Sequence, residues 1–140
     1  MRSRASTAGI DPNRIKFHQR ISGNNAHMKL WNQIDISLDV APWNSTTVTC
    51  EALWMGVPVI TLRGDRHSAR VGASLLTAVG RPEWIAESPE HYVDIARRVA
   101  ADREQRISWR LDCRKLISNS PLCNTWAYSS TFYSLLKQQL

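Results

Sequence analysis

Between Asp39 and Glu51 the chain reads Asp-Val-Ala-Pro-Trp-Asn-Ser-Thr-Thr-Val-Thr-Cys-Glu, which groups the hydroxyls of Ser45, Thr46, Thr47 and Thr49. Hydroxyl side chains clustered where a helix begins can donate hydrogen bonds to an anion without adding bulk. Beside them lie the backbone N–H groups that a first helical turn leaves unpaired and the positive end of the helix dipole. Phosphate suits such a seat. Glu51, about one and a half turns further on, can accept hydrogen bonds from ribose hydroxyls. Ser and Thr are also preferred N-caps, so capping alone accounts for one of them. Asn44-Ser45-Thr46 fits the glycosylation sequon as well, a match that carries weight only in a secreted chain.

A second group follows the apolar run Val57–Leu62. His67 and Arg70 fall in the loop and first turn after it. Arg70 can face a phosphate or an acceptor, or it can pair with Asp65 or Glu51 as a structural bridge. A lone His67 near Asp65 is not a triad, and no residue is assigned as catalytic. Trp43 precedes the hydroxyls, where it can wall the adjacent pocket or anchor its loop by packing. The remaining tryptophans, Trp31, Trp54, Trp84, Trp109 and Trp126, are expected in the core and at its edges. Cys50, Cys113 and Cys123 are too few and too scattered for a disulfide framework or a zinc site, and are expected to be reduced and structural. No cluster has metal-ligand spacing, so no metal is expected.

Positioning these residues requires strands alternating with helices. Strands are expected at Ile15–His18, Asp35–Asp39, Val57–Leu62 and Trp84–Ala86. Helices are expected over 24–34, from Thr46 to Met55 with Gly56 as its stop, and from Ser68 to Val79 with Gly80 and Pro82 beyond it. Ser88-Pro89-Glu90 is a helix start, with Ser as N-cap and Pro at the first position; that helix should reach Asp102. Two more helices, Arg103–Ile117 and Thr125–Gln139, flank the breaker segment Ser118–Asn124. The alternation places the chain in the α/β class: a Rossmann-like parallel sheet flanked by helices, with right-handed crossovers. In such a sheet ligands bind beyond the carboxyl ends of the strands, where Asp39–Glu51 and His67–Arg70 would both lie.

Size and charge are compatible with that reading. The 140 residues, 43% hydrophobic and 21% charged, fit one domain over positions 1–140. No apolar run approaches a bilayer span. The basic segment Met1–Gly9 is not followed by the apolar stretch of a signal peptide, so a cytoplasmic location and no membrane partner are expected. The formal charge of +6 is spread along the chain, with no basic run and no interleaved aromatics. No nucleic-acid partner is expected.

Pro42-Trp43-Asn44-Ser45-Thr46-Thr47-Val48-Thr49-Cys50-Glu51-Ala52-Leu53-Trp54-Met55-Gly56-Val57-Pro58-Val59-Ile60-Thr61-Leu62, followed by Gly64-Asp65-Arg66-His67-Ser68-Ala69-Arg70-Val71-Gly72-Ala73-Ser74-Leu75-Leu76, resembles the signature of the O-linked N-acetylglucosamine transferase and SPINDLY family. The likeness runs from about Gly9 to the C-terminal helix. It implies a GT-B enzyme of two Rossmann-like domains, of which this chain is the incomplete C-terminal half. It also implies a nucleoside diphosphate sugar, UDP-GlcNAc or a relative, as donor substrate, a protein Ser or Thr as acceptor, and no separate cofactor. By position, Asn44, Ser45, Thr46 and Thr47 would face the diphosphate, Glu51 would hold the ribose, and His27 would pack against the base. Trp43, His67 and Arg70 would contact sugar or acceptor. Two departures stand out: Ser45 replaces the usual Gly, and Val48 replaces a Thr. The family's N-terminal catalytic domain and helical repeats have no counterpart here. They are expected on another chain or reading frame, and the 140 residues are expected to be too short to catalyse alone. Self-association through an uncovered sheet edge is the corollary. A remnant that keeps the fold without transferring sugar is the alternative.

Overall fold

The structure, a computed structural model, describes residues 2–19 and 21–139, with the backbone alone for Arg2 and Asn24. Met1, which opens the basic N-terminal segment, lies outside them. Helix α1 (Arg2–Thr7) and a 3-10 turn at Pro12–Arg14 come first. Helix α2 (Asn24–Leu30) tightens into a 3-10 turn at Trp31–Gln33, which accounts for the helical spacing over 24–34. Then follow β1 (Ser37–Leu38), α3 (Thr47–Trp54), β2 (Val59–Leu62), α4 (Val71–Ala78), β3 (Ile85–Ala86), α5 (Pro89–Ala101), α6 (Arg103–Ser118) and α7 (Thr125–Lys137). No helix among the described residues is long and apolar enough to cross a membrane.

The three strands form one parallel sheet in the order β1-β2-β3. Ser37 pairs with Val59, Leu38 with Ile60, Thr61 with Ile85 and Leu62 with Ala86. Strand β2 is central, and Val57, Val59, Ile60 and Thr61 are all fully buried. That explains why the segment reads as a continuous apolar run rather than an alternating one. Gly56 makes the turn into it with φ of +74°. A side chain there would also collide with the Arg110 backbone, 2.8 Å away.

Capping follows the sequence signals. Ser88 accepts a hydrogen bond from the His91 N–H at the start of α5, and Asp102 does the same for Gln105 at the start of α6. Helix α6 buries Trp109, Cys113 and Ile117, a stripe at four-residue spacing. Trp109 meets Trp84 edge to face with ring centroids 5.1 Å apart, and the Arg81 guanidinium lies 4.8 Å from the Trp109 ring centre. This cluster closes the core under the sheet.

Several expectations need correction. Residues 15–18 form no strand: Ile15 is extended, but β1 has no ladder partner on its outer side among the described residues. Extended backbone that joins no ladder remains a loop. For the same reason the strand expected over 35–39 shortens to Ser37–Leu38. The helix expected from Ser68 begins as a 3-10 turn at His67–Ala69 and becomes α-helical only at Val71. Trp126 is on the surface at 79% exposure, because α7 packs chiefly on the Pro121–Cys123 turn and buries no residue. All three cysteines are free, and only Cys113 is buried.

Trp109→Ala should lower the unfolding free energy by about 3–5 kcal/mol, whereas Trp126→Ala should change it by less than about 0.5 kcal/mol. Urea unfolding of both variants measures this. Similar losses would show that α7 is packed against the body of the protein.

Candidate functional site

The carboxyl ends of the strands share one edge of the sheet, and a buried carboxylate organises it. Asp39 ends the β1 ladder, its N–H donating to the Ile60 carbonyl at 2.9 Å. The residue is 8% exposed. Oδ1 accepts from the backbone N–H groups of Val40 and Ser45, each at 2.9 Å, and Oδ2 accepts from the Thr61 hydroxyl at 2.8 Å. The Tyr92 hydroxyl on α5 donates to the Asp39 carbonyl at 2.8 Å. Burial, and then the Asp39 charge, push the Tyr92 phenol up to about 12, so it stays a donor at neutral pH. Gly72, near the start of α4, presses on the same cluster. A Cβ there would come within 2.6 Å of Asp39 Oδ2 and would also strike Thr61 Oγ1.

Asn44 locks the loop to α4. It is 3% exposed. Its Nδ2 donates to the Val40 carbonyl at 3.1 Å, and its Oδ1 accepts from the Gly72 N–H at 3.3 Å. Its own N–H donates to the Ser68 carbonyl at 2.8 Å. Asn44 therefore shapes the loop from within. The loop also holds a cis peptide between Ala41 and Pro42.

Helix α3 starts from this frame. Thr46 is its N-cap residue but makes no side-chain cap bond. The Thr49 hydroxyl turns back to the Ser45 carbonyl at 2.8 Å. Among the described residues, no protein acceptor engages the amides of Thr46, Thr47 or Val48. Thr46 and Thr47 are exposed, and Ser45 is half-buried with its amide held by Asp39. The edge thus offers unpaired N–H groups and two open hydroxyls at the positive end of a helix, an arrangement suited to anion binding.

Glu51, on the same helix, meets a partner from α2: its Oε2 lies 2.9 Å from His27 Nε2. The two side chains are 27% and 43% exposed, so both keep an open face. Arg70 makes neither of the expected bridges. Its Nε donates to the Gly64 carbonyl at 2.9 Å, while Asp65 pairs with Arg66 at 3.0 Å. The hydrogen bond and charge of Arg66 hold the Asp65 carboxyl below its usual value. Arg70 instead lines a cleft of about 550 Å³ with Arg63, Ser74 and Thr77. His67 is exposed. Trp43, at 74% exposure, does not anchor its loop by packing. No group of three His, Cys, Asp or Glu residues gathers as metal ligands among the described residues. Sequence reasoning missed the roles of Asp39, Thr61, Gly72 and Tyr92. An acid closing a buried strand was the available signal, since such a group must find internal donors.

Comparison with known proteins defines the lineage. Glycosyl transferase family 41 matches residues 1–132. The Petunia hybrida protein described as a probable UDP-N-acetylglucosamine–peptide N-acetylglucosaminyltransferase SPINDLY is 37% identical over 134 residues, covering 93% of this chain and 14% of its own length. The Caenorhabditis elegans UDP-N-acetylglucosamine–peptide N-acetylglucosaminyltransferase is 30% identical over 130 residues, 93% of this chain and 11% of that protein. A mutant of the Thermobaculum terrenum O-GlcNAc transferase superimposes with a TM-score of 0.84 at 29% identity, over 94% of this chain and 26% of that one. The three-stranded parallel sheet with its flanking helices thus corresponds to part of a GT-B glycosyltransferase. The chain belongs to glycosyl transferase family 41 and spans about 14% of the length of the curated SPINDLY relative from Petunia hybrida.

The Tyr92–Asp39 bond carries a pH signature. The phenol is raised in the folded state above its unfolded value of about 10, so its contribution is intact below that pH and is lost as pH climbs towards about 12. The stability difference between the native chain and Tyr92→Phe should therefore shrink between pH 9 and about pH 11. Thermal melts at both values measure it; a constant difference would place the phenol outside the Asp39 cluster.

Proposed function

We propose that this family 41 segment holds the donor nucleotide of a peptide O-glycosyltransferase, with the diphosphate seated on the first turn of α3. One observation carries the reading: among the described residues, no protein acceptor engages the Thr46, Thr47 and Val48 amides at the carboxyl edge of a parallel sheet, where α/β folds bind ligands. The Thr46 and Thr47 hydroxyls add donors. Glu51 takes the ribose hydroxyls, and His27, hydrogen-bonded to Glu51, presents its ring to the base. Trp43 walls the sugar side. Arg70 and His67 face the sugar or the acceptor from the next loop. Asn44 and Ser45 contribute through the loop that they shape.

The chemistry assigned to this segment is stabilisation of the leaving group. When the sugar–phosphate bond breaks, negative charge develops on the diphosphate. Preorganised N–H and O–H donors lower the barrier most where charge appears in the transition state. The names of the relatives point to UDP-N-acetylglucosamine as donor and a peptide as acceptor. Residues 1–140 form one partial nucleotide-sugar-binding unit, and transfer depends on the remainder of a family 41 catalytic region. A binding module without transfer is a second reading, favoured by Val48 in place of a motif hydroxyl.

Titration with UDP, UDP-GlcNAc, GDP-fucose and uridine, followed by tryptophan fluorescence, tests the seat. UDP should bind more tightly than uridine. Thr47→Ala should weaken UDP roughly tenfold, the equivalent of losing about 1.5 kcal/mol in a hydrogen bond to a charged group, and leave uridine nearly unchanged. Equal weakening of both would remove the phosphate role from Thr47. Glu51→Gln should weaken uridine and UDP alike; an effect on neither would remove Glu51 from the ribose.

A further inference from the structure

A basic cleft adjoins the loop that opens α3. Arg63, Arg70, Ala73, Ser74, Thr77 and Ala78 line about 550 Å³ of it. From Arg70, the N-cap residue of α4, the α4 positions recur at three- and four-residue spacing, so one helix face forms the wall. Arg70 to Ala78 spans about 12 Å along the axis, roughly the length of four extended residues. Both arginines are anchored. The Arg70 Nε donates to the Gly64 carbonyl at 2.9 Å, and the Gly64 N–H in turn donates to the Ala69 carbonyl at 2.9 Å. Among the described residues, the terminal amino groups of Arg70 make no hydrogen bond and no carboxylate pairs with it. The Arg63 N–H donates to the Ala86 carbonyl at 2.9 Å, and its Nε lies 3.3 Å from Glu87 Oε1 in an exposed pair. Asp65 is held by Arg66, and Glu83 by Arg81. The cleft therefore keeps an excess of positive charge. Ser68 and Gly72, on either side of Arg70, both hydrogen-bond to Asn44, which ties the Arg70 backbone to the loop before α3.

We propose that this cleft binds an acidic segment of a polypeptide, with a carboxylate on the Arg70 guanidinium; that the polypeptide is the acceptor rests on the donor reading of α3. The free amino groups of Arg70 match the two oxygens of a carboxylate. Arg63 takes a second acidic side chain in competition with Glu87, because an exposed ion pair is weak. Charge complementarity selects the ligand, and the elongated wall suits an extended chain better than a compact anion. Specificity for acidic sequence thus comes from α4, beside the phosphate seat on α3 and separate from it.

The test is fluorescence anisotropy of a dye-labelled peptide with one serine flanked by glutamates, and of its glutamine counterpart, titrated with the full chain in the absence of nucleotide. The glutamate peptide should bind roughly tenfold more tightly, and added salt should shrink that advantage. Arg70→Gln should remove most of the advantage, whereas Arg97→Gln, which deletes the same charge from α5, should not. Glu87→Gln leaves the Arg70 anchor in place and should tighten the glutamate peptide about threefold by releasing Arg63. Equal binding of the two peptides would overturn the proposal, as would an equal loss from Arg97→Gln. Displacement of the glutamate peptide by UDP at constant ionic strength would also overturn it, since the cleft would then belong to the diphosphate. Glutamate-selective binding by a chain that does not bind UDP removes the donor seat and keeps the cleft; UDP binding without glutamate selectivity removes the cleft alone.

Discussion

The Asp39 carboxylate is the constraint around which the functional edge of this fold is built. It lies at the end of an edge strand yet is almost wholly buried. A buried charge is costly unless donors surround it. Here the donors come from two places, the loop backbone and the Thr61 hydroxyl on the neighbouring strand, while Tyr92 on α5 donates to the backbone carbonyl of the same residue. Each donor fixes an element: satisfying the carboxylate positions a loop and a strand end, and the Tyr92 bond to the Asp39 carbonyl adds α5. Gly72 belongs to the same solution, because the space a side chain would need is already filled by Asp39 and Thr61.

That arrangement leaves the first turn of α3 unfilled. Asp39 consumes the Ser45 amide, and the Asn44 side-chain oxygen accepts from the Gly72 N–H near the start of α4. Among the described residues, the next amides along the helix have no protein acceptor. The hydroxyl cluster divides in the same way: Thr49 turns inward to the Ser45 carbonyl, and Thr46 and Thr47 remain open. A motif that reads as uniform in sequence therefore separates into a structural part and a part available to a ligand. Glu51 and His27, brought together from different helices, stand one further turn along the same surface.

Much of this was legible in the sequence because the signals were local. Gly56 and Gly80 stop helices at positive φ, and Ser88-Pro89 starts one with the expected cap bond. The apolar run after Gly56 is the buried central strand. Trp43, Asn44, Ser45, Thr46, His67 and Arg70 lie on the two connections that the alternation of elements assigned to the ligand side, and Thr47 and Glu51 lie on the helix that follows the first of them. Hidden features were those set by pairing between distant positions. Ile15–His18 has a strand composition but no ladder pairing among the described residues, and no local pattern encodes a pairing strand. Arg70 had two acidic partners in sequence and uses neither: Asp65 pairs with Arg66 and Glu51 with His27. The His27–Glu51 contact and the Asp39 cluster span separations that no periodicity reports.

Backbone amide chemical shifts measured while UDP and uridine are added in turn would test the phosphate seat most directly. A diphosphate docked on α3 should move the Thr46, Thr47 and Val48 amide signals strongly with UDP and scarcely with uridine. If UDP leaves those three signals in place while shifting others, or shifts none, the first turn of α3 is not where the nucleotide is held.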